Sequence, residues 1–333
     1  MTLVNIAKTD EKPLYIEASD ITELNIDREK NEMALFNSKG MLLVIDCKEW
    51  NVDPDAAVQK LADHGRSLIY FPTRWPSGPK DELKEYPAYV APEALIYATV
   101  STPSEKGKIS IIFGLEGFGR KETYGMSQQE VDALLNAANA AKELMKFMPE
   151  QVHSRWYEPA ALYVDPKAVT QIEDDGLYQV QLHFGNLDKI DVQETVADRE
   201  NEIANDIYRR EPARNIADIF REAARHQKKE ESDARARFAN AVATANGTLI
   251  AVPCPGRATH VRKEDIAYAS IHPGREGGYD MGLHPQRGPE NKYASPLYFH
   301  YETKKECEKA FRAVNNALQP APKKPVMPSG PYM

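Results

Sequence analysis

The sequence predicts an α+β fold of four tandem small modules, each a meander of about three antiparallel strands covered by one C-terminal helix. One long inserted helix precedes the fourth module. Three observations carry this expectation. A short pattern recurs four times, led by Tyr15-Ile16, Tyr89-Val90, Tyr163-Val164 and His260-Val261, and the leads are spaced by 74, 74 and 97 residues. Recurrence at a fixed period is the signature of a repeat architecture. Each lead is followed by a polar turn and then an apolar strand, as in Ala18-Ser19-Asp20 before Ile21 to Ile26. Each copy then ends on a stretch read as a helix, with a start signal in the first two.

In the first copy Ile21 to Ile26, Met33 to Phe36 and Met41 to Ile45 read as strands, separated by polar turns at Asp27–Asn31 and Ser38-Lys39-Gly40. Asp53-Pro54 opens a helix whose Ala57, Val58, Leu61 and Ala62 share one face, and Gly65 ends it. Asp caps the free N–H groups of the first turn, and Pro lacks one of its own. In the second copy Leu95 to Val100 and Ile109 to Phe113 read as strands, and the glycine-rich Gly114 to Gly119 reads as a bend. Ser127 with Glu130 is a capping box, opening a helix that carries Val131, Leu134, Leu135 and Ala138.

The third copy has Val169 to Ile172, an alternating strand through Val180, Leu182 and Phe184, then Lys189 to Val192 and a helix from about Val196 to Tyr208. The fourth has Ile266 to Ile271, an enlarged loop from His272 to Pro296, Leu297 to Tyr301, and a helix from Thr303 to Leu318. An amphipathic helix over the apolar face of a three-stranded sheet closes each unit. Further strands are expected between units, at Leu68 to Pro72 and Leu249 to Pro253.

The boundaries that follow are 12–66, 67–150, 151–211 and 247–318 for the modules, 212–246 for the inserted helix and 319–333 for a proline-rich, extended tail. The inserted helix, from about Ala213 to Ala245, is apolar at its ends and charged from His226 to Arg237. At ~1.5 Å per residue it is longer than one module needs, so it is expected to bridge modules or to reach a neighbouring chain.

Composition bounds the function. The net charge is −8, which disfavours nucleic acid as a partner. Three cysteines without zinc or C-x-x-C spacing suit a reducing compartment. Met1 to Asp10 has no leader-like apolar core, and no apolar run approaches the roughly 20 residues that span a bilayer. A cytoplasmic, soluble protein without a membrane role is expected. Phosphate-loop, nucleophile-elbow, zinc-protease and EF-hand patterns do not occur. No catalytic residue, cofactor or metal is therefore assigned.

Six residues are candidates for ligand or partner contact. His272, Arg275, His284 and Arg287 sit in the large loop of the fourth copy, where paired His and Arg suit a phosphate or an oxyanion. Asp280 could join the two histidines around a metal, although no diagnostic spacing supports it. Arg74 and Trp75 precede the second copy, where an Arg stacked on a Trp suits a base or a peptide. The corresponding solvated-loop and core-edge readings account for both groups without function. The leading expectation is a non-catalytic multivalent binding or assembly protein, a scaffold forming a homo-oligomer or holding a protein partner. The alternative is an enzyme or binder of a phosphorylated or nucleotide small molecule using the His272–Arg287 loop.

Overall fold

The computed structural model describes residues 3–8, 12–77, 82–116, 118–148, 152–154, 160–174, 179–185, 188–194, 200–212, 214–254, 257–274, 277–286 and 295–319. Over these residues the chain is a mixed α+β protein with several small antiparallel sheets and five α-helices.

Strands β1 (Leu3–Asn5) and β2 (Tyr15–Glu17) pair with each other. A 3-10 turn at Ala18–Asp20 leads into the meander β3 (Ile21–Asp27), β4 (Glu32–Asn37) and β5 (Gly40–Asp46). Asp53 caps α1 (Pro54–Asp63), its side chain accepting from the N–H groups of Asp55 and Ala56. Ala57 and Leu61 of α1 pack on Leu24, Met33, Leu35 and Ile45 of the meander.

The next strands are β6 (Ile69–Tyr70), β7 (Thr73–Ser77), β8 (Glu82–Tyr86) and β9 (Ala88–Val90). β7 and β8 form a hairpin. β9 lies between β3 and β6, so the first large sheet has the order β5-β4-β3-β9-β6. A 3-10 turn at Pro92–Ala94 precedes β10 (Leu95–Ser101), β11 (Ile109–Leu115) and β12 (Phe118–Met126). The capping box at Ser127 and Glu130 then starts α2 (Gln128–Ala141).

Gly114 is not in a bend, as its sequence neighbourhood predicted, but inside β11 opposite Tyr97. The Tyr97 ring lies against it, fully buried and stacked on Phe184 at 5.1 Å. A Cβ at residue 114 would sit 2.4 Å from the ring. The glycine is there to seat an aromatic ring on a strand, and the expected bend falls just beyond it, between Leu115 of β11 and Phe118 of β12.

Strands β13 (Met145–Phe147), β14 (Val152–Ser154) and β15 (Ala160–Val164) follow. β15 lies between β10 and β13 in the order β12-β11-β10-β15-β13. After a 3-10 turn at Pro166–Ala168 come β16 (Gln171–Asp174), β17 (Val180–Phe184) and β18 (Asp188–Glu194), then α3 (Glu200–Arg210) and α4 (Ile216–Asn246). The expectation that the first of these helices covers the sheet is not met. Ala204 of α3 packs on Ile219 and Ala223 of α4. It is the far end of α4, through Phe238, Ala239 and Val242, that packs on Ile172, Leu182 and Val192. An ion pair of 3.0 Å between buried Arg235 and buried Asp174 anchors this half of α4 to β16. The 31 residues of α4 are about 46 Å long, and two coverings share that length: a helix pair at one end and a sheet at the other.

β19 (Leu249–Cys254) and β20 (Arg257–Arg262) complete a sheet of order β14-β18-β17-β16-β20-β19. A 3-10 turn at Lys263–Asp265 enters β21 (Ile266–Pro273), β22 (Tyr279–Pro285) and β23 (Leu297–Tyr301), and a second capping box, Thr303 with Glu306, starts α5 (Lys304–Leu318). The enlarged loop predicted from His272 to Pro296 is overturned by β22, which forms the middle of this sheet. Met281 and Leu283 alternate inward beneath Cys307, Ala310 and Val314 of α5, a period-2 signal hidden among glycine, histidine and proline. The expected tail beyond Gln319 lies outside the described residues. Among the described residues no helix is long and apolar enough to cross a membrane.

Gly114→Ala is expected to destabilise the protein by about 1–3 kcal/mol through overpacking against Tyr97. Chemical denaturation of the variant measures this. In a Tyr97→Leu background, where the ring is gone, the same substitution should cost less.

Candidate functional site

The strands β21, β22 and β23 have one face under α5 and, among the described residues, one face without a helix over it. Ala269, Ile271, Met281, Leu283, Leu297 and Phe299 point toward α5. Strand alternation therefore sends Tyr268, Ser270, His272, Asp280, Gly282, His284, Tyr298 and His300 to the other face. Register places them side by side: Tyr268 faces His284, Ser270 faces Gly282, and His272 faces Asp280, which in turn faces His300.

The Ser270 hydroxyl sits between two imidazoles, 2.7 Å from His272 Nε2 and 2.7 Å from His284 Nε2. A hydroxyl donates one proton. One Nε2 therefore accepts from Ser270 while the other, carrying its proton, donates to it. His272, Ser270 and His284 thus form one continuous hydrogen-bonded line. The Tyr268 ring stacks on His284 at 4.3 Å and 10°, which holds that imidazole flat against the sheet. His300 Nδ1 meets Asp280 Oδ1 at 2.8 Å. Gly282 leaves the centre open, because a Cβ there would lie within 3.1–3.2 Å of Tyr298, His284 and Ser270.

The sequence candidates are distributed as follows. His272 and His284 come together through Ser270, and His284 stands on a strand rather than in a loop. Arg275 and Arg287 lie outside the described residues. Asp280 engages His300. Among the described residues no group of three or more His, Cys, Asp or Glu side chains is arranged to hold a metal ion. Ser270, Tyr268 and His300 were missed by sequence reasoning. The signal for them was the alternation Tyr268-Ser270-His272, legible once β22 is recognised as its partner strand.

Two clefts flank this sheet. One of about 400 Å³ lies at its meeting with β16, β17 and β20, lined by Thr170, His183, Arg262, Asp265 and Leu297. Burial pushes the Asp265 carboxyl up from its ordinary value. The other, about 540 Å³, runs from His300 and Tyr298 to Glu173, Arg257 and Cys254. His183 Nε2 lies 3.6 Å from a Glu173 carboxylate oxygen and holds that carboxyl below its ordinary value, against the burial that raises it. Burial raises the Cys254 thiol. Neither cleft is lined by His272 or His284.

Arg74 is engaged far from this face. Its guanidinium meets Glu85 at 2.7 Å and Glu130 at 2.8 Å, and its backbone N–H donates to Thr123. It ties the β7–β8 hairpin to the start of α2. The side chain of Trp75 lies outside the described residues. Burial pushes the Glu130 carboxyl up, but hydrogen bonds from Arg74 and from Ser127 outweigh it and hold the group down at about 2.

A carboxyl lowered on folding contributes stability above its unfolded value, and that contribution disappears as pH falls through the folded value. Wild-type stability should therefore drop between about pH 4.5 and 2, and Glu130→Gln should flatten this part of the profile. Arg74→Met should cost about 1 kcal/mol or more at neutral pH by stranding a partly buried carboxylate. Denaturant titrations across pH check both.

No protein-family model matches this chain, and no curated protein matches it.

Proposed function

We propose that this chain is a non-catalytic multivalent assembly protein: a row of four meander-plus-helix units that self-associates and presents a scaffold surface. The unit is a leading strand, a 3-10 turn, a three-strand meander and a covering helix. The leading strands are β2, β9, β15 and β20, and the covering helices are α1, α2, the far half of α4, and α5.

One observation carries this reading: the leading strand of each later unit completes the sheet of the unit before it, always in the same register. Val90 faces Glu23 and Tyr89 faces Leu24. Val164 faces Tyr97 and Tyr163 faces Ala98. Val261 faces Gln171 and His260 faces Ile172. The residue after each β-branched position donates to the same carbonyl of the receiving strand: Ala91 to Thr22 at 3.0 Å, Asp165 to Ile96 at 2.8 Å and Arg262 to Thr170 at 3.0 Å. Shared strands make neighbouring units stiff with respect to one another. A stiff row of related surfaces suits multivalent contact.

Light scattering on chromatographed protein tests self-association. A mass above the 37.4 kDa of one chain, rising with concentration, is expected, and a strict monomer at micromolar concentration would contradict it.

The seat of Ser270 between His272 and His284 supports a second reading, a binder of a phosphorylated small molecule. Under it, titration with inorganic phosphate shifts the ring-proton resonances of His272 and His284. Alanine at Ser270, Arg275 and Arg287 weakens that response. Unchanged resonances up to millimolar phosphate would remove this reading.

A further inference from the structure

The row has two ends, and each carries half of the joint described above. At the head, β2 is a leading strand. Its inner edge is held as in the later units: Ile6 donates to the Leu14 carbonyl at 3.0 Å, as Phe71 donates to the Ala88 carbonyl at 2.8 Å. It belongs to a two-stranded sheet with β1, whereas β9, β15 and β20 each have a second neighbour.

At the tail, β21 is, among the described residues, the edge strand of a three-stranded sheet. The corresponding strands β3, β10 and β16 are interior, each receiving a leading strand. β21 also has the local form of a receiver. Its register shifts between Ile266 and Tyr268, as that of β3 shifts between Ile21 and Glu23 and that of β10 between Leu95 and Tyr97.

Exposure follows the same logic. In β10 six of seven residues are buried and in β3 five of seven, while in β21 only Ile266 is. The sequence of β21, Ile-Ala-Tyr-Ala-Ser-Ile-His-Pro, is no more polar than a buried strand. Tyr268 is 56% exposed, whereas Tyr97 and Glu23 at the same position are at 0%. Tyr15 is 57% exposed, whereas His260 at the same position is at 5%. Tyr89 and Tyr163, its other counterparts, pack on the core of the preceding unit. An apolar strand left at a sheet edge is a template for another strand.

We propose that copies of this chain join head to tail, the Tyr15–Glu17 strand of one adding antiparallel to the Ile266–Pro273 edge of the next. This rests on the assembly reading above and specifies its joint. The internal register carries over directly. Ile16 faces Tyr268 and Tyr15 faces Ala269, with the Tyr15 ring on the α5-covered core of the receiving copy. Ile271 donates to the Pro13 carbonyl, as Ile26 donates to that of Pro87 at 2.9 Å. The two surfaces differ, so the contact is heterologous. It closes into a ring if the rotation per copy permits and otherwise extends as a filament. β-Strand addition of this kind takes its affinity from main-chain hydrogen bonds and its specificity from alternate side chains.

The experiment is light scattering on wild type, Tyr15→Lys and Tyr268→Lys, with Leu43→Lys on the exposed β5 edge as a control. Both tyrosines are exposed in the single chain, so melting of the isolated chain should be unchanged in Tyr15→Lys and lowered only slightly in Tyr268→Lys, which gives up the stack on His284. Each tyrosine variant should lose association by about tenfold or more. An equimolar mixture of the two should form a particle of twice the single-chain mass, because the intact head of one fits the intact tail of the other and neither can grow further. Leu43→Lys should assemble as wild type does. An oligomer that persists in both tyrosine variants, or that is lost in Leu43→Lys instead, overturns the joint and leaves self-association standing. A mixture that stays monomeric overturns it in favour of a symmetric contact. A monomeric wild type removes the assembly reading and the joint together.

Discussion

The structure depends on strands that belong to two cores at once. Successive side chains of a strand point to opposite faces, and the leading strands use this fully. On β9, Val90 enters the cluster around α2 while its neighbour Tyr89 packs on the cluster around α1. On β15, Val164 enters the cluster beneath α4 while Tyr163 packs on that of α2. Tyr97, on the receiving strand, makes the reciprocal reach into the cluster beneath α4. Adjacent cores are thus tied by a backbone ladder and by alternate side chains of the same few residues. Neither core is complete without the other, and the buried backbone N–H and C=O groups of the receiving strand have partners only because the next segment supplies them.

Charged side chains reinforce the same joints. Lys121 of β12 pairs with Glu23, which is fully buried on β3. Arg66, just after α1, reaches Glu93 in the following 3-10 turn and the Ile21 carbonyl. A third pair, Arg235 with Asp174, both within 5% exposure of full burial, instead fastens α4 to the sheet it covers. Breaking a buried pair from one side typically costs 3–5 kcal/mol, yet replacing both partners by apolar groups is often neutral. Their weight is therefore in matching: each pair fits one neighbour and penalises a wrong one. The apolar strands, which resemble one another in sequence, need such a device more than they need added stability.

Much of this was legible in the chain. The capping boxes, the Asp53-Pro54 start and the strands of the first copy carry local signals, because the groups that fix them lie within a few residues. The pairing of β9 with β3 was not legible, since nothing local tells an edge from an interior position. The covering helix of the third sheet was misplaced for a related reason. Val196 to Tyr208 has the right spacing after its strands, but α3 is so polar that its apolar stripe suits a narrow partner such as α4. Composition misled at β22, and at Gly114 it began the bend too early, since the turn follows Leu115. In both places glycine reads as a turn, whereas the structure uses it to admit a ring, Tyr298 over Gly282 and Tyr97 over Gly114. The pairing of His272 with His284 through Ser270 follows from a strand register that no spacing rule supplies.

The last sheet, β21-β22-β23, combines two features that act in opposite directions. Its outer sheet face is polar, with Ser270, His272, Asp280, His284 and His300 satisfying one another, and a polar outer face is how a linear array of units is capped for solubility. Its edge strand β21 gives Ser270 and His272 to that face but turns Ala269 and Ile271 to the α5 side and leaves its backbone edge open among the described residues. Where β10 meets β15 the same face carries Ile112 and Tyr97 into a shared core, and burial of such groups is worth roughly 1.5–3 kcal/mol each. In the proposed joint that term would reduce to Tyr268, while the ladder would remain, at a net ~1 kcal/mol per hydrogen bond. The proposed contact between copies would therefore be much weaker than the contacts within one. A joint of that strength would be reversible and governed by concentration, and it would keep its register because the strand, not the face, makes it.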